Sequence, residues 1–232
     1  MPSGFVHLHL HSEYSLVDST IRIADLVRAC AQADMPAVAM TDQANLFALV
    51  KFYKAAEAAG IKPIAGADLW LADPADRAQP QRLTVLCQDR SGYLNLSRLL
   101  TRAYAENRHG EHVLVEPDWF AESGAGLIAL AGQHSEIGRL LLAGRDEAAQ
   151  ARAQWWRARF PDRLYLEVMR TQRPQEEVFL AQALDLAAGL DLPVVATNDV
   201  RFLAREDFEA HEARVCIHAG RVLADPKRPR SY

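Results

Sequence analysis

Short runs of β-branched and aliphatic residues alternate with helix-period segments along nearly the whole chain. The strand-like runs are FVHLHL (5–10), AVAMT (37–41), KPIAGADLWL (62–71), RLTVLC (82–87), GLIALA (126–131), RLYLEV (163–168) and PVVAT (193–197). Between most of them, apolar side chains recur every three or four residues. In IADLVRACAQA (23–33), Ile23, Leu26, Val27 and Cys30 share one face. NLFALVKFYKAAEAAG (45–60) closes on Gly60, and PQEEVFLAQALDLAAGL (174–190) opens on Pro174 with two acidic residues suited to a helix amino terminus. Such alternation predicts an α/β fold with a mainly parallel sheet, open or closed. Seven strands in one domain length favour closure toward a barrel. LADPADRAQPQ (71–81) predicts a surface loop. The final DPKRPRSY has two prolines and three basic residues and predicts a connector to further chain.

The bulk properties narrow the function classes. Of the 232 residues, 50% are hydrophobic and 24% charged, enough for a sizeable core. A formal charge of −4 speaks against a domain that coats nucleic acid by electrostatics. No apolar run reaches membrane-spanning length and no secretion signal opens the chain. Cys30, Cys87 and Cys216 are odd in number and form no CxxC pair. Buried, reduced thiols of a cytoplasmic protein are the expectation.

Polar residues gather where the strands end. The first run carries His9 and His11, and the second ends in Thr41-Asp42-Gln43. The third carries Gly66-Ala67-Asp68, the fifth leads into Gly132-Gln133-His134, and the last into Thr197-Asn198-Asp199-Val200-Arg201. In parallel α/β folds this is where functional side chains collect. Strand alternation points His9 and His11 one way, and likewise Asp199 and Arg201. Imidazoles and carboxylates converging on one mouth suit zinc, manganese or iron. Each has an ordinary explanation alone: an exposed strand histidine, or a capping turn at Asp42 and Asp199. Their recurrence at successive strand ends is what favours a shared site.

VHLHLHSEYSLVDS, MPAVAMTDQANLFALVKFYKAAEAAGIKPIAGADLW, GYLNLSRLL, FPDRLYLEV and LPVVATNDVRFLAREDFEAHEARVCIHAG together resemble one family. It is the amino-terminal PHP (polymerase and histidinol phosphatase) domain of bacterial replicative DNA polymerase III alpha subunits. The resemblance implies a single-domain, distorted barrel of seven β/α units over residues 1–220, with 221–232 beginning a linker toward a polymerase body. It implies a metal cluster at the barrel mouth in active members. The HxH motif falls on His9 and His11, and a downstream ligand on Asp18. The TDH motif appears as Thr41-Asp42-Gln43, so Gln43 stands where a ligating histidine would be. Asp68 replaces the GxE glutamate, and Arg82 a strand-opening histidine. A His or Cys position falls near Gln133 or His134. The final DxH is Asp199 and Arg201. His7 and His211 fall off the ligand positions, as structural residues.

These departures bear on chemistry. Glutamine is a weak ligand for transition metals, and arginine stays protonated at any relevant pH. A guanidinium about 4 Å from a dication is repelled by several kcal/mol at an effective dielectric near 20. Arg201 is expected instead to pair with Asp199 and Asp68. His9, His11, Asp68, His134, Asp199 and Asp18 are residual ligand positions, with room for one zinc, manganese or magnesium ion and no cofactor required. The expectation is a catalytically degenerate domain, without catalytic residues of its own, in a DNA-directed DNA polymerase. It would stabilise the polymerase body and dock the proofreading exonuclease subunit, meeting DNA only through the full-length protein. The alternative is an active metal-dependent phosphoesterase, either a 3'-5' exonuclease or a pyrophosphatase. A free-standing histidinol-phosphate phosphatase is disfavoured, because that chemistry needs the complete ligand set. Trp155-Trp156 is expected half in the core and half at the surface, with an interface role open for one of them.

Overall fold

Helix α1 (Ile23–Gln32) forms where the sequence sets four apolar residues on one face, and Ile23, Leu26, Val27 and Cys30 are the residues it buries. The structure is a computed structural model that describes residues 4–16 and 18–228. After α1 come β1 (Ala37–Met40), α2 (Leu49–Ala58), β2 (Lys62–Leu71), β3 (Gln81–Cys87) and α3 (Arg90–Glu106). Then follow β4 (Arg108–His109), β5 (His112–Val115), α4 (Phe120–Ser123), β6 (Leu127–Ala131), α5 (Glu136–Leu142) and α6 (Asp146–Arg159). The chain closes with β7 (Leu164–Val168), α7 (Glu176–Leu190), β8 (Val194–Ala196) and α8 (Phe208–His218). Gly60, at φ 73°, ends the turn after α2. Gln175 is left-handed at φ 66°, so α7 starts two residues beyond Pro174.

Two compact units result. One holds the described residues up to Ile64 and from Asn198 onward; the other is Ala65–Thr197. In the first unit, Leu10, Ile21, Ile23, Leu26, Val38, Met40, Phe52 and Ala56 form the core. Full burial of one such side chain, Phe52, is worth about 1.5–3 kcal/mol. The predicted strand 5–10 is not a regular strand. His7 O and Leu10 O, three residues apart, accept from Ala39 N (2.8 Å) and Thr41 N (2.9 Å), two apart. The extra residue breaks the ladder as a bulge does. On its other side the segment meets Val200, with His11 N–H donating to Val200 O (3.0 Å) and Val200 N–H to His9 O (3.1 Å).

The second unit is built on a sheet in the order β4-β5-β2-β3-β6-β7-β8. β2–β5, β6–β7 and β7–β8 run parallel, but β2–β3, β3–β6 and β4–β5 are antiparallel. The expected mainly parallel sheet is therefore corrected to a mixed one. The cause lies in the 72–80 connection, which has no helix; a parallel return needs a crossover of a dozen or more residues, usually helical. The β4–β5 hairpin lies outside the predicted strands. Its turn is Gly110-Glu111, with Gly110 at φ 58°, between His109 and His112. Asp89 caps α3 by accepting from Gly92 N–H (2.9 Å), and a Cβ at Gly92 would fall 1.9 Å from Gly126 O. That close approach requires glycine. Trp156 is core, packed on Phe120 and Phe160, while Trp155 is half-buried between the guanidinium groups of Arg152 and Arg159.

Candidate metal centre

The first unit brings His9, His11, Asp18, Asp199 and Arg201 together. The bulged segment brings the His9 and His11 rings to a centroid distance of 5.7 Å, and both are buried. His7 points elsewhere, edge-on to Phe5 at 5.0 Å, and burial lowers its pKa. Asp199 sits in a left-handed turn, φ 46°, a conformation few side chains other than Asn and Asp adopt. Its Oδ1 lies 3.3 Å from His9 Nε2 and 2.6 Å from Arg201 Nη2. Arg201 Nη1 donates to Asp18 and lies against His11 Nδ1, which is itself 3.1 Å from Asp18 Oδ1. The guanidinium is thus engaged by two carboxylates and an imidazole, and its side chain is wholly buried.

Two supports hold this arrangement. His211 Nε2–H donates to Asp18 O (3.0 Å), and burial lowers the pKa of its imidazole, which packs on Phe202. Asp42 does not cap a helix as its position suggests, since α2 begins after Ala48 with no side-chain cap. Instead it accepts from Ser12 N–H (2.6 Å), Ser12 Oγ (2.8 Å) and Ser15 Oγ (2.8 Å). These bonds tie the loop after the HLH segment to the end of β1. Burial raises the pKa of Asp42 against the opposing pull of the serine donors. Gln43 is half-buried, and its N–H donates to Ser15 Oγ (2.9 Å).

The second unit carries Asp68, Arg82, Gln133 and His134. Asp68, fully buried in β2, faces Thr84 across the β2–β3 pair and meets Arg82 Nε at 2.8 Å. Arg82 also lies 5.7 Å from the centre of the Trp70 ring. His134 is exposed, and its carbonyl accepts from Arg82 N–H (3.0 Å), whereas Gln133 Nε2 donates to Pro174 O (3.0 Å). A further buried carboxylate lies outside the sequence-derived candidates: Glu167 on β7 accepts from Thr197 Oγ1 (2.7 Å), with Gly132 close beside it. Its alternation within RLYLEV was the available signal.

A divalent ion would meet a mixed set of donors here. His9, His11, Asp18 and Asp199 are suitable donors, but Arg201 occupies their midst. At about 4 Å its charge would repel a dication by about 8 kcal/mol at an effective dielectric of 20. With Arg201 in place, the first-unit donors do not fit a bridged metal cluster.

The fold has relatives among solved structures. An amidohydrolase from Chromobacterium violaceum, solved with bound sulfate and no metal, aligns with TM-score 0.58 and 13% identity over 90% of this chain and 96% of its own. A two-domain protein from Bacteroides vulgatus, containing a predicted PHP-like metal-dependent phosphoesterase, aligns with TM-score 0.54 and 13% identity over 88% of this chain and 55% of its own. These likenesses show an α/β fold shared with metal-free and predicted metal-dependent hydrolase structures. Residues 7–171 match the family model described as PHP domain, and the chain belongs to that family. It is also 50% identical over its whole length to a DNA polymerase III subunit alpha of Pseudomonas aeruginosa. It is 46% identical over 98% of its length to that of Escherichia coli strain K12. The chain spans 20% of the length of each of these relatives.

Proposed function

We propose that this chain is the amino-terminal PHP domain of a DNA polymerase III alpha subunit, acting in DNA replication as a catalytically degenerate scaffold. In this reading residues 1–220 form the domain and 221–232 begin the linker to the polymerase body. The domain stabilises that body and docks the proofreading exonuclease subunit, in the cytoplasm and without a required metal. Whole-length similarity to alpha subunits supports the assignment to replication. No described helix is long and apolar enough to cross a membrane, in keeping with it.

One observation carries the degenerate reading: Arg201 is buried against Asp18, Asp199 and His11, where its charge opposes a metal cluster. Hydrolysis of phosphoesters by this family's route needs bridged metals and an activated water. The surviving, adjacent His9–His11 pair is what favours the second reading, an active metal-dependent phosphoesterase. The test is an assay of the purified chain on phosphodiester and pyrophosphate substrates with zinc, manganese or magnesium. No turnover above that of the His9→Ala, His11→Ala double variant is expected. Chelator-sensitive hydrolysis that the double substitution abolishes would instead establish the enzyme.

A further inference from the structure

The short hairpin at the edge of the second unit's sheet carries two histidines that the candidate centre does not use. Strands β4 and β5 pair antiparallel, with His109 directly opposite His112 across the two-residue turn Gly110-Glu111. Gly110, at φ 58°, supplies the left-handed residue that such a turn needs. Directly opposed side chains stand on one face of the ladder with their Cβ atoms about 4.5–5.5 Å apart. Two imidazole nitrogens bound to one ion, each at about 2.0–2.1 Å, lie about 3 Å from one another. Two rings rooted at the hairpin's spacing reach that separation by turning about their own side-chain bonds.

The surroundings favour oriented, neutral donors. On one side His112 packs against Trp70 of β2, with ring centroids 4.9 Å apart and planes at 60°. His109 stands on the other side, because β5 lies between β4 and β2 in the sheet. Burial lowers the pKa of the His112 ring; the charge of Glu111 opposes that shift, and His109 adds to it, which places both groups close by. Neutral imidazole is the form that binds metal. His109 is exposed and His112 half-buried, so an ion and its waters have access to the pair. The nearest cations are held off. Arg108 alternates to the opposite face, in register with Val113. Arg82 stands on β3, with β2 between it and the hairpin, and its charge is compensated by Asp68 at 2.8 Å.

We propose that His109 and His112 form a two-histidine site for a transition-metal dication, copper(II) foremost, then nickel or zinc. Imidazole suits these ions, and copper(II) binds nitrogen donors most strongly among them. Water completes the coordination. The bound ion staples β5 to an edge strand of only two residues, whose pairing is otherwise marginal. With two protein ligands the ion exchanges with solvent, so the site is read by titration rather than by what survives dialysis.

The probe is copper(II) alone, titrated calorimetrically into the full-length chain near neutral pH. Wild type is expected to take up one ion more per chain than the double variant His109→Asn with His112→Asn; donors elsewhere are common to both proteins and cancel. The electron paramagnetic resonance spectrum of that ion should show coupling to two imidazole nitrogens. Each single variant should weaken the site at least tenfold. His218→Asn, exposed on α8 in the first unit, is the control and should leave uptake unchanged. Melting curves establish that each variant folds; should the double variant fail, His109→Asn, at an exposed position, carries the test. Equal uptake by wild type and the double variant would overturn the site. Loss of uptake in only one of the two single variants would overturn it as well, since one imidazole would then suffice. Competition by magnesium at concentrations equal to copper(II) would contradict the imidazole donor set.

Discussion

Replacing Arg201 with alanine should be among the most damaging single changes in the first unit. The side chain is wholly buried and bonds Asp199, which is 3% exposed, and Asp18, which is 21% exposed. Removing one partner of a buried ion pair leaves charge without compensation and costs about 3–5 kcal/mol. Against a typical total stability of about 5–15 kcal/mol, that is from about a fifth of the whole upward. Urea unfolding should register the loss as a lower midpoint at an unchanged slope. A triple variant, Arg201→Ala with Asp18→Asn and Asp199→Asn, removes the stranded charges and should recover much of the loss. A cost below about 1 kcal/mol for Arg201→Ala, the level of an exposed pair, would refute the reasoning.

Three further outcomes follow from the same packing. Asp42→Ala strands the Ser12 amide and two serine hydroxyls, and urea unfolding should show a loss of at least about 3 kcal/mol, at about 1–3 kcal/mol per unsatisfied buried group. Burial lowers the pKa of His211 and His7, so the folded state binds fewer protons than the unfolded one below the usual histidine value. Stability should be fully present above about pH 6.5 and fall as the solution is acidified below it; His211→Gln, followed by the melting temperature across pH, should flatten that slope. The Cys87 thiol is pushed up to about 12 by burial and by Asp89, and burial also raises the Cys30 thiol. Neither should react with a thiol reagent at pH 8 until the chain is unfolded; rapid modification of the native chain at Cys87 would contradict this.

The sequence revealed most where a single local rule decides. The apolar periodicity of α1 and the run 62–71 were legible to within a residue, because nothing in the tertiary structure overrides them. The HLH segment has a strand's alternation without forming a regular strand, since a bulge depends on the spacing of the neighbouring backbone rather than on its own residues. The run 82–87 does form β3, but its antiparallel direction is not legible in the sequence: periodicity says nothing of strand direction, which the helix-free 72–80 connection determines. At the candidate centre, the ligand positions implied by the resemblance pair Arg201 with Asp199 and Asp68; it bonds Asp199, which lies two positions away. Its contact with Asp18, 183 positions away, follows only from the folded chain. The partnership of Asp68 with Arg82 likewise depends on the β2–β3 register, which the sequence does not specify. Asp42 shows the limit of capping rules: the side chain serves a distant loop because Ser12 and Ser15 arrive beside it.

On the function proposed here, the fixed positive charge of Arg201, seated among imidazoles and carboxylates, keeps a metal cluster from forming. Its effect is tested most directly by the metal content of the chain after incubation with zinc and manganese and exhaustive dialysis, measured by mass spectrometry beside the Arg201→His variant. The prediction is at most one ion per wild-type chain and a clear rise in the variant. Two or more tightly held ions per wild-type chain, or no change on replacing Arg201, would contradict it.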